Sequence, residues 1–233
     1  MKAVMKRVAV LAVLLGGCSA DYPSLYIQQN QVPEAGCRVP GQRVDAIGQG
    51  FLDVSGGSNL GYIFTPLVVN GLRMGTTTTQ HIMFLAGADI EILPTGAARS
   101  VELVNTLAAL DQAKRVALVS GSIAAGGSQG LAITIIDGEQ AATMDTFLSP
   151  GETVGVVVRV SIKATVDGAD ITGLPFDYPV ILCSGCATVD LGPCAALAQG
   201  FEGTSGGTCN PLQDGIIQCC DNFTVCPAMG PTQ

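Results

Sequence analysis

The chain has 233 residues, with 11 Lys and Arg against 19 Asp and Glu, so its formal charge is −8. A polymer this acidic is repelled by phosphate backbones, which argues against nucleic acid as a partner. Only 13% of residues are charged, 48% are hydrophobic and 30 are Gly. Disordered chains are charged and poor in Val, Ile and Leu, so a compact β protein with many turns is expected.

The N-terminus carries Lys2, Lys6 and Arg7, an apolar run from Val8 to Leu15, and then Leu15-Gly16-Gly17-Cys18. That run is too short to cross a bilayer, which needs about 20 apolar residues. A short apolar run behind a basic start is a processing segment. The pattern resembles the lipobox of bacterial lipoproteins, a family whose signal peptide is cut just before a lipidated cysteine. The resemblance implies a signal peptide over residues 1–17 and lipidation of Cys18. It also implies several acyl chains on that cysteine, a stable anchor where one chain would bind only marginally. Ser19 stands where the family's inner-membrane retention signal places Asp, which points to the outer membrane. Cleavage would remove three basic residues and no acidic one, leaving a charge of 8 − 19 = −11.

Residues 18–36 are polar, with Pro23 and then Gln28, Gln29, Asn30 and Gln31, and read as a tether to a domain starting at Cys37. Residues 37–182 read as a succession of short strands. Ala46 to Val54 ends at Ser55-Gly56-Gly57-Ser58-Asn59, and Leu60 to Val69 ends at the turn dipeptide Asn70-Gly71. In Ile82 to Leu93 the alternation places Ile82, Phe84, Ala86, Ala88, Ile90 and Ile92 on one face. Val116 to Ile123 and Leu131 to Ile136 follow, parted by a Gly-rich hairpin loop. Val154 to Val166 alternates throughout, which predicts one face on a core and one in water. Asp167-Gly168 turns the chain into a last strand, Asp170 to Leu182. There Pro175 and Pro179 each remove a ladder donor and argue for an edge or a bulge.

Asp137-Gly138-Glu139-Gln140 has the form of a capping box, and Ala141, Met144, Phe147 and Leu148 continue at helical spacing, which predicts one short helix. Val101 to Leu110 suits either a helix or a strand, and its flanks favour a strand. Seven or so short strands predict a mainly β fold, an immunoglobulin-like β-sandwich with one short helix. The Trp of antibody domains is absent, so the likeness is one of architecture and carries no function.

From residue 183 the composition changes. Cys183, Cys186, Cys194, Cys209, Cys219, Cys220 and Cys226 crowd into residues 183–233, an irregular tail with few large apolar residues. With Cys37 they make eight, and outside the cytoplasm an even number means disulfides, with 105 possible connectivities. Only a bond between the neighbours Cys219 and Cys220 is excluded, as strained. A bond from Cys37 to the tail would close a loop worth roughly 4–5 kcal/mol in the chain-entropy model. Cys183-Ser184-Gly185-Cys186 has the spacing of a redox motif or half a zinc site. The first needs a thioredoxin-like βαβ setting and the second another ligand pair, so a structural disulfide is expected. Phe176-Asp177-Tyr178-Pro179-Val180, Cys183, Cys186, Gln213-Asp214-Gly215 and Cys219-Cys220 together resemble predicted lipoproteins of myxobacteria. That resemblance implies location and no chemistry.

No active site is legible. His81 is the only histidine and reads as a strand-end surface residue. Gly126 to Gly130 lacks the Lys-Ser/Thr of a phosphate-binding loop. Asp89 with Glu91, Asp137 with Glu139 and Asp167 with Asp170 are loose carboxylate pairs without calcium-loop spacing. The sequence therefore predicts a lipid-anchored outer-membrane protein without cofactor or metal. Its role is structural or interactive, with another envelope protein as partner. The rival is a binding module for a small ligand, glycan or Ca²⁺, using the loops Ser55 to Asn59 and Thr76 to Thr79.

Overall fold

A computed structural model describes residues 24–55, 61–73, 81–197 and 203–222. Among these the chain is mainly β, with fourteen strands and two α-helices. The organising strand is β10 (Thr153–Val166), whose even-numbered side chains from Val154 to Ala164 are all buried. It is flanked by β5 (Met83–Pro94) and β12 (Phe176–Cys183), both antiparallel to it. The large sheet runs β2 (Gly50–Asp53), β12, β10, β5, β6 (Lys114–Ala117). Strand β7 (Gly121–Ile123) pairs with β5, and β11 (Ala169–Thr172) pairs with β10. The turn between β10 and β11 is Asp167-Gly168, both at positive φ. Strand β2 joins β12 in parallel, and the other pairings of this sheet are antiparallel.

A three-stranded sheet, β1 (Leu25–Asn30), β4 (Pro66–Asn70) and β8 (Ser128–Gly130), shares one core with the large sheet. So does the pair β3 (Tyr62–Phe64) and β9 (Ile133–Ile136). At the centre Phe64 lies 5.0 Å from Tyr178 between ring centroids, and Tyr62 lies 5.9 Å from Tyr178.

Five expectations need correction. Residues 24–36 do not form a tether: Leu25 and Ile27 alternate into the core from β1, and Gln29, Asn30 and Gln31 are buried. Their polar look hid the strand, because their amides reach Val44 O, the Tyr178 hydroxyl and Pro40 O at 2.6–2.9 Å. The second correction is that there are two helices, not one. Residues 98–109 form α1 (Ala98–Ala109), with Ser100, Leu103 and Leu107 buried at helical spacing, although the flanks of Val101 to Leu110 favoured a strand.

Third, the face drawn for β5 changes phase along its length. Its register skips Ala86, so Met83 and Leu85 point inward beside Ala88, Ile90 and Ile92, while Phe84 is exposed. Fourth, the expected turn dipeptide Asn70-Gly71 takes no positive φ, and the strands on either side of it, β4 and β5, lie in different sheets. Asn70 is buried, and its side-chain amide donates to His81 O and Ile123 O. Last, the expected final strand splits into β11 and β12, and β12 is an edge only in its first half. From Val180 onward β2 covers it, and Pro179, opposite Val157 of β10, sits just outside that cover. The capping box stands as read: helix α2 (Gly138–Phe147) begins with Asp137 accepting the Gln140 N–H, and Gln140 accepts the Asp137 N–H.

Candidate functional site

Three segments converge at the carboxyl ends of the parallel pair β2 and β12: the stretch after β1, β2 itself and the returning tail. The tail is joined to the first by the Cys37–Cys209 disulfide, 172 residues apart in sequence. It then runs along the free edge of β2. The Asp53 N–H donates to Leu212 O at 2.9 Å, the Asp214 N–H donates to Phe51 O at 2.9 Å, and the Phe51 N–H donates to Asp214 Oδ1 at 2.8 Å. The Gln213 amide imitates a strand, accepting from the Ile63 N–H at 2.8 Å and donating to Ile63 O at 2.7 Å. An otherwise open sheet edge is thereby closed. The tight approach needs glycine: a Cβ on Gly207 would fall 1.8 Å from Gln213 O.

The tail is more ordered than the sequence suggested. Strands β13 (Thr188–Asp190) and β14 (Ile217–Cys219) pair in parallel, and Ala187, Leu212, Ile217 and Cys219 form a small second core against Phe51. The Cys194–Cys220 bond staples it, and Cys219 is disulfide-bonded as well. The lipidation candidate Cys18, Cys226, the signal segment 1–17, and loop residues 56–59 and 76–79 lie outside the described residues.

Between these segments lies an open groove of about 690 Å³. Val32, Pro33, Ile47, Phe51 and Ile216 give it apolar walls, and Cys186, Cys209 and Asp214 also line it. No Lys or Arg is among the described residues that line it.

Behind the groove a hydrogen-bond chain runs into the core. Tyr62 donates to Asp214 Oδ2 at 2.7 Å and lies 2.9 Å from the Tyr178 hydroxyl. Asn30 donates to that hydroxyl at 2.9 Å, and its Oδ1 accepts from the Thr65 N–H at 2.8 Å. Burial, then the adjacent Asp214 charge, push the Tyr62 hydroxyl far above its usual range, so it stays a donor. Burial chiefly raises Tyr178 to about 12. Burial also lifts Asp214 above the ordinary carboxylate value, and the bonds from Tyr62, Phe51 and Gln213 offset part of the rise.

Asp53 occupies the other flank, directly opposite Cys183 in the β2–β12 register. It is fully buried. Its carboxylate accepts the N–H groups of Gly185 at 2.8 Å, Ala187 at 2.6 Å and Ser55 at 3.0 Å. Burial works to raise its pKa, but these donors outweigh burial and hold it below the usual value, so it is a buried carboxylate. Cys183 and Cys186 are bonded to each other, and their sulfurs lie within 4.8 Å of the Asp53 carboxylate.

The remaining candidates do not join this site. His81 Nδ1 lies 2.5 Å from Asp167 at the far end of β10. Asp89 and Glu91, one of the loose carboxylate pairs, are engaged by Lys163 at 2.6 Å and Lys114 at 2.7 Å on the outer face of the large sheet. Asp137 serves helix α2 and pairs with Arg115. Sequence reasoning missed Asp53, Tyr62 and Asn30, which sit in ordinary strand patterns. Asp214 was visible only as part of Gln213-Asp214-Gly215. No family model, curated protein or solved structure matches the chain.

Proposed function

We propose that this chain is a lipoprotein of the outer membrane, held by lipid on Cys18, that serves the envelope by binding another protein rather than by turnover. The groove is the observation that carries the binding reading. It is open and apolar, it is framed by segments fixed through a disulfide and reciprocal backbone bonds, and its described lining bears Asp214 but no cation. Every basic residue of the chain lies at or before Lys163, so the tail side of the groove carries no basic residue, and Asp214 is the acidic residue of its described lining. The fitting occupant is therefore an apolar peptide anchor flanked by Lys or Arg, on a protein facing the same compartment. We also read the arrangement of the two larger sheets about one core as a sandwich of immunoglobulin-like type, extended by two helices and the parallel β2–β12 pair.

Fluorescence polarisation with two labelled peptides tests the binding. The same apolar anchor is flanked by Lys in one and by Glu in the other. Binding of the first alone is expected, weakening with salt and lost in Ile216→Glu. Equal binding of both, or full binding by the variant, refutes the reading. The anchor has its own test. Cys18→Ser should leave an uncleaved or mislocalised precursor, and a variant still recovered wholly in the outer membrane would overturn it.

A further inference from the structure

The Cys183–Cys186 bond differs from the other disulfides in what surrounds it. Cys37–Cys209 and Cys194–Cys220 join segments 172 and 26 residues apart, whereas this bond spans three. A cross-link over so short a loop removes less chain entropy than either of those two, so it contributes less to the fold than they do. The loop it closes is also held by other means. Ser184 donates its hydroxyl to Asp145 at 2.8 Å, and its carbonyl accepts the Gly151 N–H at 2.6 Å. The Gly185 and Ala187 N–H groups are fixed on Asp53. With the S–S bond open, these contacts would still present both sulfurs to each other.

The two sulfurs are unequal in access. Cys183 is fully buried at the end of β12, while Cys186 is half-buried and faces the groove. A nucleophile entering from the groove meets only the Cys186 sulfur. Exchange needs an accessible disulfide sulfur and a leaving sulfur that stays close enough to reclose the bond, and both are present.

We propose that Cys183–Cys186 is a thiol–disulfide exchange site, with Cys186 the attacked sulfur and a thiol of low molecular weight or on a polypeptide as co-reactant. The co-reactant gives up its proton to water and attacks Cys186 Sγ as a thiolate. The S–S bond breaks, its electron pair goes to Cys183 Sγ, and that sulfur takes a proton from water to become a thiol. The product is a mixed disulfide on Cys186. A second thiol of the co-reactant, attacking its own sulfur in that bond, releases Cys186. The co-reactant is then oxidised to a disulfide and this chain reduced to a dithiol. The site is read from the disulfide's own surroundings, and it stands or falls independently of whether the groove holds a basic peptide.

The test uses the intact oxidised protein. It is exposed to graded reduced glutathione, or to a peptide bearing one cysteine among apolar residues, then acid-quenched and mapped by mass spectrometry. The adduct is expected on Cys186 first, at thiol concentrations that leave Cys37–Cys209 and Cys194–Cys220 intact, with the melting temperature unchanged. A peptide that reacts at least about tenfold faster than glutathione identifies a polypeptide as the natural co-reactant; equal rates identify a small thiol. A first adduct on Cys183, or Cys186 unmodified until Cys37–Cys209 and Cys194–Cys220 have opened, overturns the proposal. The Cys183→Ser variant supplies a second reading. Its lone Cys186 thiol, loaded by exchange with oxidised glutathione, which leaves as reduced glutathione, should keep the mixed disulfide once excess thiol is removed. In the wild-type adduct the Cys183 thiol displaces the co-reactant and recloses the bond; equal loss from both would overturn the proposal.

Discussion

Tyr62 shows how one hydroxyl ties the tail to the core. Its proton goes to Asp214, and its oxygen faces Tyr178, so a Phe at this position would strip a donor from a shielded carboxylate. Leaving such a group without its partner costs about 1–3 kcal/mol. Tyr62→Phe is expected to lose that much in urea unfolding, and its tail should become cleavable by protease before the rest of the domain. Asp214 adds a pH signature. Its folded pKa lies above the ordinary 3.8, so the folded state holds its proton longer than the unfolded chain. Its favourable contribution is fully present below that ordinary value and is lost as pH rises through the folded pKa. Asp214→Asn cannot titrate, so its melting temperature relative to wild type should climb as pH rises from 3.8. A flat difference across that window would contradict the assignment. Glu152 works in the opposite sense. Hydrogen bonds from Arg99, then the Ser149 N–H, hold it down to about 2, so its contribution is present above 4.5 and lost as pH falls toward 2.

The two helices make a contrast at the scale of elements. Helix α2 starts on a reciprocal box and carries Arg115 on the same aspartate, so Asp137→Ala should cost about 1 kcal/mol. Helix α1 starts at Ala97, an exposed residue with no side chain to cap the first turn. It is fixed instead by Ser100, whose hydroxyl donates to Gly155 O at 2.7 Å and accepts the Thr95 N–H at 3.1 Å. Ala97→Asp should therefore raise stability by about 1 kcal/mol in thermal unfolding. What the sequence showed and what it hid follow from the same elements. Strand β10 was legible because a regular period of two over a solvated face has one reading. Strand β1 was not, since buried Gln and Asn look like solvent-facing residues until their distant partners are known. The phase of β5 was hidden too, because one skipped residue at Ala86 reverses every side chain before it. At the site, the cysteines could be read as a set, but Asp53 and Tyr62 acquire their meaning only from chain segments 132 and 152 residues away.

At the scale of the whole molecule, the Cys37–Cys209 bond is the longest-range disulfide among the described residues, across 172 residues. The chain-entropy model gives about 5 kcal/mol for a loop of this size. Cys37→Ser should lower the melting temperature and expose one reactive thiol, that of Cys209, in counting on the non-reduced protein. Two or more reactive thiols in the oxidised wild type would instead mean that the cysteines serve redox or metal chemistry at rest.

That same bond decides how the molecule bears load. A pull from the N-terminal side, such as the proposed lipid anchor would exert, reaches β1, then Cys37, and crosses directly to Cys209. The polypeptide between them, which holds the central sheet, lies off the path of the force. Stretched between its termini, the oxidised protein should yield only the segments outside that loop. Reduction should add the contour length of 172 residues, roughly 600 Å at about 3.5 Å per residue. The disulfide thus acts as a strain-relief loop: the central sheet rides on the anchor without being pulled apart by it, while the groove walls at Val32, Pro33, Asp214 and Ile216, outside the loop, bear the pull.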